Sequence, residues 1–116
     1  MSPASDFNID QVLPRLAALI HSRRSEAASG SYTKELLDAG SERCARKLGE
    51  EATETIIAAL GSDKGALTRE AADLIYHLLV LLESREVTLS EVLAELHARM
   101  GTSGLAEKAA RRQASS

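Results

Sequence analysis

KLGEEATETIIAALGSDKGALTREAADLIYHLLVLLES, residues 47–84, decides how this chain folds and where its chemistry lies. The stretch reads as two helical segments broken by Gly61-Ser62-Asp63. Glu50, Glu51 and Glu54 lie in the first segment, Glu70 and Asp73 in the second. Carboxylates at i and i+3 leave a helix on the same side, so Glu51 with Glu54 and Glu70 with Asp73 form two natural pairs. Glu54 precedes Gly61 by seven residues and Glu70 follows Asp63 by seven. At about 1.5 Å rise per residue both pairs stand roughly 10 Å from the break. An antiparallel hairpin would therefore bring all four acids to one height.

Convergence of that kind has an energetic consequence. On an exposed helix, neighbouring like charges cost only a few tenths of a kcal/mol, and many acidic runs are simply solvated faces. Carboxylates facing each other at about 5 Å in a partly buried cleft cost roughly 3 kcal/mol per pair at an effective dielectric near 20. The second segment is apolar nearly all round, through Leu67, Leu74, Ile75, Leu78, Leu79, Val80, Leu81 and Leu82. A helix of that pattern is buried on several sides. Glu70, Asp73 and His77 form one stripe along it and need partners there. An all-oxygen donor set favours Mg²⁺, or Mn²⁺, over zinc. A carboxylate-bridged diiron bundle needs Glu-x-x-His motifs, and His77 follows Asp73 by four residues instead. The expectation from the residues is a metal-dependent enzyme acting on a phosphorylated substrate.

Working outward, the first of the two segments extends back to about Ser41, and the second runs from about Lys64 to Ser84. Cys44, Leu48, Ala52, Thr55, Ile56 and Ala59 share one face of the first at 100° per residue, the expected core stripe. Glu51 borders that stripe, Glu54 and Lys47 flank it, and Glu50 lies farther round near Arg43. Before it, a short helix is expected from Lys34 to Ala39, stopping at Gly40. An opening helix is expected from about Asp10 to Ala28, with Asp10 as its cap unless Pro14 delays it. Thr88 and Glu91 have the spacing of a capping box, so a last helix opens there and ends near Met100. The expected organisation is a loose segment over 1–9, an all-α domain over 10–100 and a fraying tail over 101–116 that carries Arg111 and Arg112. The fold class is an all-α helical bundle with two long antiparallel helices at its centre.

Size and composition narrow the function. A chain of 116 residues is one domain, small enough that dimerisation would help its stability. The oily second segment also argues for a subunit interface. A formal charge of −3 gives no basic field for a nucleic-acid polymer. One Phe, two Tyr and no Trp leave little for base stacking on an open surface. The lone Cys44 fits a reducing compartment and reads as a small buried residue. No signal peptide opens the chain and no apolar run is long enough for a membrane span, so a cytoplasmic location is expected.

KLGEEATETIIAA at 47–59 and EAADLIYHLLVLL at 70–82 closely resemble the phosphoribosyl-ATP pyrophosphohydrolases of histidine biosynthesis. The segment SYT at 31–33 and the tail near Gly104-Leu105-Ala106-Glu107-Lys108 are similar to that family as well. The acidic motif alone is shared with the wider MazG-like group of all-α nucleotide pyrophosphohydrolases. The resemblance implies a homodimer, Mg²⁺ dependence, and hydrolysis of phosphoribosyl-ATP to phosphoribosyl-AMP and pyrophosphate. It puts Glu51, Glu54, Glu70 and Asp73 at the family's metal-binding positions. Glu50 matches the first acid of the doubled pair, either as ligand of a second ion or as base for water, and Glu51 is counted with it as catalytic.

Other residues carry weaker signals. Lys47 either contacts phosphate or offsets the acids. Arg43 and Lys34 are further phosphate candidates, although surface cations are usually only solvated. Ser31, Tyr32 and Thr33 either close over a substrate or form a local turn with a packed tyrosine. His77 is more often a satisfied core histidine than a ligand. Two other readings stay open: a housecleaning pyrophosphohydrolase for nucleoside triphosphates, and a non-enzymatic helical dimerisation module.

Overall fold

The computed structural model describes residues 7–25, 31–101, 108 and 111–113. Among them, helices α1 (Ile9–Arg23), α2 (Tyr32–Ala39), α3 (Ser41–Leu60), α4 (Lys64–Ser84) and α5 (Leu89–Met100) follow in order. Lys108 and residues 111–113 are helical too, and no strand occurs among the described residues. The architecture is all-α, as expected.

α3 and α4 form the central antiparallel hairpin and make the most extensive contact in the chain. Their bounds coincide with those read from the sequence. Asp63 starts α4 by accepting hydrogen bonds from the backbone N–H of Gly65 and Ala66. α5 opens with the full Thr88–Glu91 capping box.

Two starts differ from expectation. Asn8, not Asp10, caps α1, its side-chain oxygen accepting from the Asp10 N–H at 3.0 Å. Pro14 therefore lies inside the helix. Its missing N–H leaves the Asp10 carbonyl to solvent, which an exposed residue tolerates. α2 begins at Tyr32 rather than Lys34, because the Ser31 hydroxyl accepts from the Lys34 N–H and draws two more residues into helix. The expected end of α1 at Ala28 lies outside the described residues; helix is described to Arg23.

The core gathers at one end of the hairpin. Ile20 from α1, Leu36 from α2, Cys44 from α3 and Leu79 and Val80 from α4 are buried together, with Leu13, Leu16, Leu37 and Tyr76 packed around them. The Cys44 thiol donates to the Leu36 carbonyl at 3.3 Å, and burial pushes its pKa up, so it is a packed, unreactive group. α1 is pinned to the end of α4 by Arg24 and His21, which both reach Glu83. Burial opposes ionisation of Glu83, but these hydrogen bonds outweigh it and hold the carboxyl below its ordinary range.

The other end of the hairpin is bare. Ile56, Ile57 and Leu60 on α3 are exposed, Leu60 by 84%. The expected core stripe of α3 therefore fails at its far end: Ile56 and Ala59 lie beyond the reach of α1 and α2. α5 stands off the bundle, with Leu93, Leu96 and Met100 exposed. It encloses, with α1 and the end of α4, an apolar cavity of about 400 Å³ between Pro14, Ala18, Leu79 and Leu89.

Gly40 joins α2 to α3 with φ +99° and ψ 171°, a region open essentially to glycine. A Cβ there meets no neighbour, so the penalty is conformational. Gly40→Ala is expected to lose about 1–3 kcal/mol of stability, read as a lower urea midpoint with an unchanged m-value.

Candidate active site

The two acidic pairs do meet. One carboxylate oxygen each from Glu51 on α3 and from Glu70 and Asp73 on α4 lie within 4.8 Å of one another. Two further observations separate this group from an ordinary acidic face. Glu51 Oε2 and Glu70 Oε2 are buried and receive no hydrogen bond when their carboxyls are ionised. Both carboxyls are also pushed above their ordinary pKa. For Glu51 the causes are burial, then a hydrogen bond shared with Glu54, then the charge of Glu54, with nearby His77 opposing the rise and Asp73 adding to it. For Glu70 they are burial, then the charge of Glu54 and a hydrogen bond with it. Glu54 thus stands beside both, on the more exposed rim.

The hairpin is locked at this level by a neutral group. The Thr55 hydroxyl is 2.8 Å from the Glu51 carbonyl on its own helix and 3.2 Å from the Glu70 carbonyl across the hairpin. It adds a cross-link without adding charge.

Two buried orphan oxygens among hard, anionic donors are what a hard divalent cation requires. Ligand oxygens around Mg²⁺, at about 2.1 Å from the ion, stand roughly 3–4 Å apart. The residues fit such an ion; they do not decide between Mg²⁺ and Mn²⁺.

Around the cluster, Lys47 pairs with Glu50 at 3.4 Å, the charges of Glu50 and Glu51 favour its ammonium, and Tyr32 lies nearby. Glu50 is half-exposed and outside the group of converging oxygens. Arg43 is exposed on α3. Lys34 is engaged away from the acids, with Asp38 and the Arg24 carbonyl. Ser31 caps α2. Tyr32 turns toward α4, its hydroxyl 3.3 Å from His77 Nε2, while Thr33 bonds the Tyr76 hydroxyl. His77 is buried and in turn reaches the Asp73 carbonyl through Nδ1 at 2.9 Å. The sequence offered no signal for these links. Tyr32 and His77 are 45 residues apart, and only the packing of α2 against α4 joins them.

Fold and site together define a class: an all-α hairpin protein that presents a partly buried carboxylate cluster suited to a divalent cation. Comparison with known proteins names the member of that class. Residues 13–100 match the profile of the family described as phosphoribosyl-ATP pyrophosphohydrolase, and the chain belongs to that family. It is 55% identical over 100 residues to a phosphoribosyl-ATP pyrophosphatase of Cereibacter sphaeroides, covering 86% of this chain and 97% of the relative. A protein of the same name from Rhodobacter capsulatus is 54% identical over 85% of this chain and 96% of its own length. Phosphoribosyl-ATP pyrophosphatase 1 of Bradyrhizobium diazoefficiens is 52% identical over 84% of this chain and 92% of its own length.

The raised carboxyls fix a pH dependence. A glutamate ordinarily titrates near 4.5, and Glu51 and Glu70 hold their protons to higher pH when folded. Above that value the folded state binds more protons than the unfolded one, so stability of the cation-free protein falls as pH rises through the window. Differential scanning calorimetry should therefore show a Tm that falls above about pH 5 in chelator, and a gain from added Mg²⁺ that is larger near pH 7.5 than near pH 5. Glu51→Gln should raise the chelator Tm at neutral pH and shrink the Mg²⁺ gain. A chelator Tm that climbs with pH over this range would contradict the raised carboxyls.

Proposed function

We propose that this protein hydrolyses phosphoribosyl-ATP to phosphoribosyl-AMP and pyrophosphate, the second step of histidine biosynthesis, in a Mg²⁺-dependent reaction at the α3–α4 cluster. The observation that carries the reading is the pair of buried, unpartnered oxygens on Glu51 and Glu70 beside Asp73, in a chain of this family. Glu51, Glu54, Glu70 and Asp73 would hold the ion. The chemistry Mg²⁺ supplies is charge neutralisation on phosphate oxygens and Lewis acidity at the scissile anhydride.

The remaining work falls to the chain's own groups. Phosphoryl chemistry needs the nucleophilic water held in line and the negative charge of the substrate balanced. Glu50 stands beside the cluster rather than in it, so its carboxylate is available to orient or deprotonate water, with Glu51 as the neighbouring acid. Lys47 is tethered to Glu50 and lies on the flank of Glu51, where its ammonium can meet a phosphate. Tyr32 is half-exposed on the same side. Arg43 and Lys34 stay secondary: the first is a solvated cation on α3, the second already has partners.

The active form is a homodimer in this reading. Ile56, Ile57 and Leu60 leave one end of the hairpin apolar and uncovered, and Ile75 and Leu78 continue exposed apolar surface along α4, as buried interfaces are before assembly. A cytoplasmic location accords with the unpaired Cys44 and with a biosynthetic role; no helix among the described residues is long and apolar enough to cross a membrane.

Glu54→Gln and Asp73→Asn are each expected to abolish pyrophosphate release from phosphoribosyl-ATP while the far-UV circular dichroism stays helical. Full activity in either variant would sink the ligand assignment. Assay against a panel of deoxynucleoside triphosphates separates this activity from a housecleaning one, which would turn over the panel faster. Light scattering should give twice the chain mass, and Ile57→Glu should shift it toward the single chain.

A further inference from the structure

His77 is the only buried polar or charged residue among the described ones, 6% exposed. Neither ring nitrogen is idle. Nδ1 faces the Asp73 carbonyl at 2.9 Å. A carbonyl oxygen only accepts, so Nδ1 must carry the proton. In the neutral ring Nε2 is then an acceptor, and the Tyr32 hydroxyl at 3.3 Å must donate to it. The ring also meets the stacked pair of tyrosine rings edge-on, Tyr76 at 4.9 Å and Tyr32 at 6.0 Å.

Each contact serves the same junction. Asp73 brings its carboxylate to the cluster and its backbone carbonyl to His77. Tyr32 opens α2, and Thr33 next to it bonds the Tyr76 hydroxyl. Tyr32 and Tyr76 lie nearly parallel at 6.5 Å. The start of α2 is thus tied, through two side chains one residue apart on α4, to the helical turn that begins at Asp73. Both nitrogens are committed, and one of the partners is the half-exposed Tyr32, which like Glu51 lies near Lys47.

We infer that His77 is a positioning residue: locked as the Nδ1–H tautomer on the Asp73 carbonyl, it holds the Tyr32 hydroxyl, and so fixes the half-exposed Tyr32 ring as a wall of the substrate site beside Glu51. The inference rests on the phosphoribosyl-ATP reading for what Tyr32 contacts, but not for the hydrogen-bond chain itself. His77 neither touches the reacting atoms nor ligates the cation; it acts through Tyr32.

The test has a kinetic and a spectroscopic arm, both on the full chain. Tyr32→Phe keeps the ring and removes only the hydroxyl. His77→Leu keeps the volume and removes the acceptor, and His77→Gln puts an amide oxygen within reach of Tyr32. Tyr32→Phe and His77→Leu should each raise KM for phosphoribosyl-ATP about tenfold, the loss of one oriented contact, with kcat within about threefold. The double variant should be no worse than either single one, and His77→Gln should recover most of the KM. The Mg²⁺-dependent Tm gain should persist in Tyr32→Phe, which separates this role from damage to the cluster. In the spectroscopic arm, ¹⁵N-histidine NMR of the wild type should show His77 protonated at Nδ1 and bare at Nε2, with the Nε2 resonance shifted in Tyr32→Phe. An Nε2–H tautomer overturns the inference, and so does an unchanged KM in Tyr32→Phe. Absence of turnover by the wild type would instead refute the activity, while the NMR result would still decide the tautomer and the Tyr32 bond.

Discussion

Everything in this protein is arranged around holding like charges together. Glu51, Glu70 and Asp73 place oxygens within 4.8 Å of each other, and one oxygen each of Glu51 and Glu70 is buried without a donor. Left to itself such a cluster would relax by side-chain rotation or by separation of α3 and α4. Rotation is limited because the acids lie on the facing sides of two long helices. Separation is opposed by the apolar core at one end of the hairpin, by the short Gly61–Asp63 turn at the other, and by the Thr55 hydroxyl between them. The cluster sits midway between these anchors, where neither helix can move without straining both ends.

The same logic explains why the helices around the hairpin are attached where they are. α1 and α2 pack against the half of the hairpin that lacks the acids, so the carboxylates remain reachable from outside. α2 nonetheless ties Tyr32 and Thr33 to α4 through His77 and Tyr76. One short helix therefore has two duties: Leu36 fills the core, and the residues at its start bond the helix that carries Asp73. That economy suits a chain with few aromatic side chains, whose two tyrosines both lie at this junction.

The hairpin was legible in sequence because its determinants are local and periodic. Gly61-Ser62-Asp63 breaks the chain, Asp63 caps α4, and equal spacing from the break levels the two acidic pairs. The Thr88–Glu91 box is likewise a local rule, and the structure obeys it. The misses have different causes. Asn8 outcompeted Asp10 because capping depends on which side chain reaches a free N–H, and both residue types do so well. Ile56 lies at the proper angle for a core residue, but angle does not say how far along α3 the neighbouring helices extend. The His77–Tyr32 bond joins distant parts of the chain and has no periodic trace. Glu50 was placed aside by angle alone, and it stands apart in space, paired with Lys47.

The uncovered end of the hairpin bears on the cluster as well as on assembly. Ile56, Ile57, Leu60, Ile75 and Leu78 flank the acids in sequence on both helices. A second copy seated over them would remove water from one side of the carboxylates. Desolvation raises the cost of keeping several acids ionised and strengthens their attraction for a cation. Subunit association and cation binding would then favour one another through a single quantity, the free energy of the buried charges. The coupling must also be reciprocal, since a ligand that favours one assembly state is itself bound better by that state. In that case the apolar end of the hairpin and its acidic middle would be two parts of one device, because the burial supplied by a second copy would also be the burial that strengthens the carboxylates' hold on a cation.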